Sequence, residues 1–89
     1  MKFEWDEKKA RANVRKHGVS FDEALSVFFD PFAETISDPD HSEGERRFVS
    51  LGRTIKGRLV VVSHTDKNDV IRIISAREAT RHERKSYES

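Results

Sequence analysis

The sequence predicts a small α+β domain. A short N-terminal strand leads into two helices, a four-stranded antiparallel meander fills residues 32–76, and a C-terminal helix closes the chain. Three observations carry this. A helix-start signal precedes a wide apolar stripe over residues 20–29. Four short strand-like runs follow, separated by tight polar turns. Finally, the run Arg72-Ile-Ile-Ser-Ala-Arg77 passes at once into a polar, helical pattern. Helical stripes and period-two runs in separate blocks are the signature of segregated α and β layers.

Each element has a local reason. Lys2 to Trp5 alternates polar with aromatic residues, as a short strand does. Asp6 is placed to cap the first helix, whose inward stripe is read as Ala10, Val14 and His17, and Gly18 supplies its left-handed end. Ser20 and Glu23 form the expected capping box of the second helix. Phe21, Ala24, Leu25, Phe28 and Phe29 make its broad apolar face. Asp30-Pro31 stops it, because a residue before proline avoids the helical region. Strands are expected at 32–36, 46–54, 59–62 and 70–76, with turns at Ile55-Lys56-Gly57 and Lys67-Asn68-Asp69. Such short turns join antiparallel neighbours. Past Arg77 the apolar residues are only Ala79 and Tyr87, so the last helix gains little from packing.

Eighty-nine residues make a single domain, 1–89, and a composition 35% hydrophobic and 37% charged leaves a thin core. There is no cysteine, which fits a reducing cytoplasm, and no apolar run long enough to span a membrane. The opening residues carry charge and lack an apolar signal region. The expectation is a cytoplasmic protein. Its net charge of +1 conceals an asymmetry. Residues 1–45 hold 6 basic and 11 acidic residues, a balance of −5, and residues 46–89 hold 11 and 5, a balance of +6. That split points toward nucleic acid or an acidic partner.

Several residues in order resemble the BrnT-type toxins of bacterial type II toxin–antitoxin modules, which are similar in fold to RelE-like ribonucleases. The resemblance begins at Phe3-Glu4-Trp5-Asp6 and runs through Lys9, Asn13 and Lys16-His17-Gly18-Val19-Ser20-Phe21. It resumes at Asp30-Pro31, Asp40-His41, Glu45-Arg46, Gly52 and Gly57-Arg58. It closes on Arg72–Arg77 and on Glu83-Arg84 with Tyr87. It implies metal-independent RNA cleavage that suppresses translation and growth, on the ribosome or on free mRNA. It also implies a small BrnA-type antitoxin with a ribbon-helix-helix domain, in a heterotetramer that binds its own promoter DNA. No fixed catalytic triad transfers, because RelE-like branches share their catalytic residues poorly.

The candidate roles therefore follow from side-chain chemistry. Cleavage by the ribose 2′-hydroxyl needs a base, cations for the phosphorane charge, and an acid for the leaving oxygen. Arg72 and Arg77 are the first candidates for the cations, since a guanidinium donates two parallel bonds to phosphate. A bare charge at Arg72 inside an apolar strand would cost several kcal/mol, which argues for a purpose; a structural ion pair is the competing reading. His41 titrates near neutrality and suits acid or base work, against an ordinary exposed loop histidine. Glu45 as base, with Arg46 beside it, competes with a plain surface ion pair. Arg58 joins Arg81, Arg84 and Tyr87 as expected RNA contacts. Arg77, Arg81 and Arg84 are spaced as one helical stripe, and Tyr87 either stacks on a base or anchors the helix. His64 is read as a cleft-rim or satisfied edge histidine, and His17 as a structural residue at a helix end.

No cofactor and no metal is expected. The acidic run from Asp38 to Glu45 suits hard cations but lacks any repeated ligand spacing. Phosphate loops, dinucleotide fingerprints and nucleophile elbows are missing too. The alternative is a non-catalytic module that binds nucleic acid or antitoxin in promoter autoregulation. An enzyme acting on a small phosphorylated substrate ranks behind both, for want of a glycine-rich cradle.

Overall fold

The computed structural model describes residues 1–38 and 46–88. Strand β1 (Lys2–Glu4) precedes helix α1 (Glu7–His17) and helix α2 (Phe21–Leu25), which tightens into a 3-10 turn over Ser26–Phe29. Strands β2 (Glu34–Ser37), β3 (Arg47–Arg53), β4 (Leu59–Lys67) and β5 (Val70–Glu78) follow, and helix α3 (Arg81–Glu88) ends the chain. The sheet order is β1-β5-β4-β3-β2. The antiparallel meander is present as β2 to β5. The first strand joins it as a fifth member, parallel to β5, with Phe3 opposite Ile71.

The caps work largely as the residues suggest. Asp6 accepts from the backbone N–H groups of Lys8 and Lys9, and Gly18 sits at φ 70° with its N–H on the Val14 carbonyl. A left-handed end of this kind suits glycine. The β4–β5 turn places Asn68 and Asp69 at φ 54° and 65°, a two-residue hairpin that matches strand twist.

Two helical expectations are corrected. The inward face of α1 carries Asn13, 6% exposed, while Val14 is 47% exposed. Asn13 wins that place because its amide donates to the carbonyls of Val19 and Ala76 and accepts from the Ala76 N–H, at 2.9, 2.8 and 3.1 Å. The second helix is also shorter than its apolar stripe. Ser26 donates to the Glu23 carbonyl at 2.6 Å and accepts from the Ile55 N–H at 2.8 Å. Side-chain bonds of this sort compete with the helical ladder. The chain then tightens, leaving Phe29 67% exposed.

Helices α1 and α2 cover one face of the sheet. Val19, Phe21, Ala24 and Val27 pack on Val60, Val62, Ile71, Ile73 and Ala76. Gly52 lies beneath the 3-10 turn, where a Cβ would meet Val27 Cγ1 at 2.8 Å. Among the described residues, the opposite, more open face is partly covered by α3 over β3 and carries a cleft. Between Ser63 and His64 the β4–β5 register shifts, so that Ile74 is an extra residue on β5. Such a bulge resets the side-chain alternation. Ile71, Ile73 and Ala76 all point into the core, and Arg72 and Arg77, five residues apart, both point to the open face.

Candidate active site

The open face is assembled from three cross-strand rows. Arg47, Thr65 and Arg72 form the first, with Glu4 beyond; Val49, Ser63 and Ser75 form the second; Leu51, Val61 and Arg77 form the third. Arg72 and Arg77 flank the two serines. Their β4 partners, Thr65 and Val61, are four residues apart, about 13 Å along a strand.

A cleft of about 410 Å³ opens over the second and third rows. Ser63, Ser75, Val49 and Val61 floor it, Arg77 and Asp38 line it, and His17 reaches it from the last turn of α1. Arg77 donates from both terminal nitrogens to Glu83 on α3, at 2.8 and 2.9 Å. This fork holds the Glu83 carboxyl down to about 2, so the pair stays ionised at any working pH. Glu83 is further fixed by a capping box at the start of α3. Its carboxylate accepts from the Thr80 N–H at 2.8 Å, and its own N–H donates to the Thr80 hydroxyl at 3.2 Å. This box replaces the one expected at Ser20. There the serine accepts from the Glu23 N–H at 3.0 Å, but the Glu23 carboxylate turns inward instead.

Arg72 lies outside the cleft. It donates to Glu4 at 2.8 Å and lines a separate hollow with Lys67 and Thr65. The expected desolvation is not found, because its apolar neighbours Ile71 and Ile73 face the other way and its side chain is 42% exposed. Arg46 is exposed and stands 5.8 Å from the Phe48 ring centroid. His41 and Glu45 lie outside the described residues.

The remaining candidates are dispersed. Arg58 turns toward the helix layer. Its Nε and Nη2 grip the Glu23 carboxylate and Nη2 also donates to the Gly18 carbonyl at 3.0 Å. Arg81 and Arg84 are exposed on α3, but β5 continues through Glu78, so Arg77 is a strand residue and the three do not share one helical stripe. Tyr87 donates to Asp30 Oδ2 at 2.6 Å, with the Arg53 guanidinium 5.6 Å from its ring centre, and so tethers α3 to the turn after the helix layer.

His64 is neither at a rim nor at an edge. It is 3% exposed on the core face, between the rings of Phe28 and Phe48. Its Nε2 pairs with the Ser50 hydroxyl at 2.8 Å, and Ser50 with Thr35 at 2.7 Å. Burial pushes its pKa down, so the ring is neutral at pH 7.

Sequence reasoning missed Ser63 and Ser75 as cleft floor and read His17 as purely structural. Small hydroxyl residues interrupting the apolar runs of β4 and β5 were the available signal. Among the described residues, no three His, Asp or Glu side chains converge as metal ligands. No helix among them is long and apolar enough to cross a membrane.

The model for the family described as "Ribonuclease toxin, BrnT, of type II toxin-antitoxin system" matches residues 5–83. The chain belongs to the BrnT ribonuclease toxins. A 1.1 Å crystal structure of the Brucella abortus ribonuclease toxin BrnT is similar in fold, with a TM-score of 0.68 at 24% identity, covering 91% of this chain and 99% of that one. No curated protein matches the chain. As a BrnT family member, the protein has a cognate antitoxin as its implied partner. The matched span includes α1, the whole meander and Glu83, and therefore every described residue that lines the cleft.

Proposed function

We propose that this chain is a metal-independent endoribonuclease toxin that cleaves RNA, suppresses translation and growth, and is silenced in the cytoplasm by a ribbon-helix-helix antitoxin. The observation that carries this reading is the cleft on the open sheet face, where Arg77 stands beside His17 and two serine hydroxyls. In the reaction the ribose 2′-oxygen bonds to phosphorus while the bond from phosphorus to the 5′-oxygen breaks. A base takes the 2′ proton, and an acid returns one to the 5′-oxygen. Arg77 is assigned to the phosphorane charge, with the serines orienting phosphate oxygens. Arg72 holds a neighbouring phosphate about 13 Å along the strand, with Arg46 as an added cation. His17 is a candidate for proton transfer in addition to His41 and Glu45, which keep the roles their chemistry suggests.

One observation favours a second reading. Both terminal nitrogens of Arg77 are already engaged by Glu83, as they would be in a module that binds partners and promoter DNA without cutting. The discriminating experiment is cleavage by the purified protein in excess EDTA, with end-group analysis. Fragments carrying 2′,3′-cyclic phosphate and 5′-hydroxyl ends, lost in Arg77→Lys and reduced in His17→Asn at a temperature where circular dichroism shows both variants folded, are the expected result. Binding without cleavage, with and without ribosomes, would assign the chain to the second reading.

A further inference from the structure

The charge split along the sequence conceals a basic helix within the acidic half. In the basic half, Arg58, Arg72 and Arg77 are each neutralised by a carboxylate. In the acidic half, α1 carries Lys8, Lys9, Arg11, Arg15 and Lys16 against the single acid Glu7. All five cations are exposed, and none takes part in an ion pair among the described residues.

The helix is set rigidly against the cleft. Asn13 bonds both backbone groups of Ala76, the residue before Arg77, and His17 at the helix end lines the cleft itself. Lys8, Arg11 and Arg15 recur along the side away from Asn13, and Lys9 and Lys16 lie together to one side of them, nearer Asn13. From Lys8 to Lys16 the helix rises about 12 Å, long enough to face successive phosphates rather than one. The exposed residues between Lys8 and Lys16 that are not cationic are Ala12 and Val14. The core of a protein–protein interface is instead depleted in lysine and built on large apolar or aromatic anchors. A flexible polyanion needs no such anchors, since each neutralised phosphate releases counterions.

We infer that the outer face of α1 binds the sugar–phosphate backbone of single-stranded RNA flanking the segment held in the cleft. This rests on the ribonuclease reading for its ligand, but not on cleavage occurring. Its test measures binding of a 2′-O-methyl oligonucleotide longer than the cleft, which lacks the reacting hydroxyl, across a salt series. The proteins compared are the parent and the Lys8→Gln/Arg11→Gln/Arg15→Gln variant. Glutamine keeps helix propensity, and no ion pair among the described residues is lost. The slope of log affinity against log salt is expected to fall by about 2, at roughly 0.7 per phosphate contact. An unchanged slope overturns the inference, as does loss of antitoxin affinity with the RNA slope intact. Cleavage is scored separately. An active parent with an unchanged variant slope sinks this inference alone, whereas an inactive parent with a reduced variant slope sinks the ribonuclease reading and leaves α1 an RNA-binding face.

Discussion

Arg58 offers the sharpest test of the difference between a residue that holds the fold and one that holds RNA. The Glu23 side chain is 2% exposed and takes bonds from Arg58 and, at 2.8 Å, from the Thr54 hydroxyl. Lys56 lies 4.0 Å away and is 70% exposed, too distant and too solvated to replace Arg58. In Arg58→Met the carboxylate stays buried without its partner. Breaking a buried pair in this way costs about 3–5 kcal/mol. A domain of this length has about 4–13 kcal/mol in total, so the melting temperature should drop by roughly 12–40 °C.

The pH dependence gives that magnitude a sign. Hydrogen bonding from Arg58 lowers the Glu23 pKa below its ordinary 4.5. The stability it contributes is therefore fully present above about 4.5 and is lost as pH falls through the lower folded value. In the variant, burial acts on Glu23 without that bond, and protonation relieves the stranded charge. The gap between parent and variant should thus be widest at neutral pH and close in acid. Thermal unfolding followed by circular dichroism at neutral pH and near pH 4 measures both. A drop below about 4 °C, or a gap that widens in acid, would refute the argument. Glu23→Leu added to Arg58→Met should recover part of the loss. If RNA cleavage falls further than the unfolded fraction accounts for, Arg58 belongs with the substrate after all.

Asn13→Ala strands three backbone groups and should cost at least about 3 kcal/mol, seen as a lower urea midpoint and faster hydrogen exchange at the Ala76 amide. Tyr87→Phe removes the bond to Asp30 and should raise exchange at the Arg84 amide, which donates to the Thr80 carbonyl, while the β4 amides keep their protection. For His64 the folded pKa lies below the ordinary 6.5, so the unfolded chain takes the proton first. Stability should hold above about 6.5 and fall as pH drops below it, by up to about 1.4 kcal/mol per pH unit. Denaturant unfolding of the parent and of Ser50→Ala/His64→Leu at several pH values checks this, because the slope should shrink in the double variant.

Elements whose signals are local were legible. The caps at Asp6 and Gly18, the turn at Asn68-Asp69 and the order of the meander all follow from residues within a few positions of each other. What the sequence hid depends on distant partners. The β1–β5 pairing joins residues nearly seventy positions apart. Asn13 breaks an apolar stripe for the sake of Ala76, 63 positions away. The bulge at Ile74 has no local mark, yet it decides whether Arg72 and Arg77 share a face. Regular alternation over five residues would put them on opposite sides. Both arginines stood out by type. Their carboxylate partners, Glu4 and Glu83, come from separate elements and became visible only with the sheet assembled.

A thin core raises the question of what fixes a cleft on its far side. Apolar burial is non-directional and sets no particular distance between layers. Hydrogen bonds do set distances, and here three buried polar groups sit directly behind the cleft. Asn13 binds Ala76, which separates Ser75 from Arg77. His64 follows Ser63 and is held by Ser50, which lies between Val49 and Leu51. Because adjacent strand residues point to opposite faces, fixing a core-side residue by a bond of about 3 Å also fixes its cleft-side neighbour. The Glu23–Arg58–Thr54 cluster does the same for the β3–β4 hairpin by tying it to α2. The polar interior thus substitutes directional bonds for apolar bulk, and it does so behind the strands whose outer faces carry the serines and Arg77.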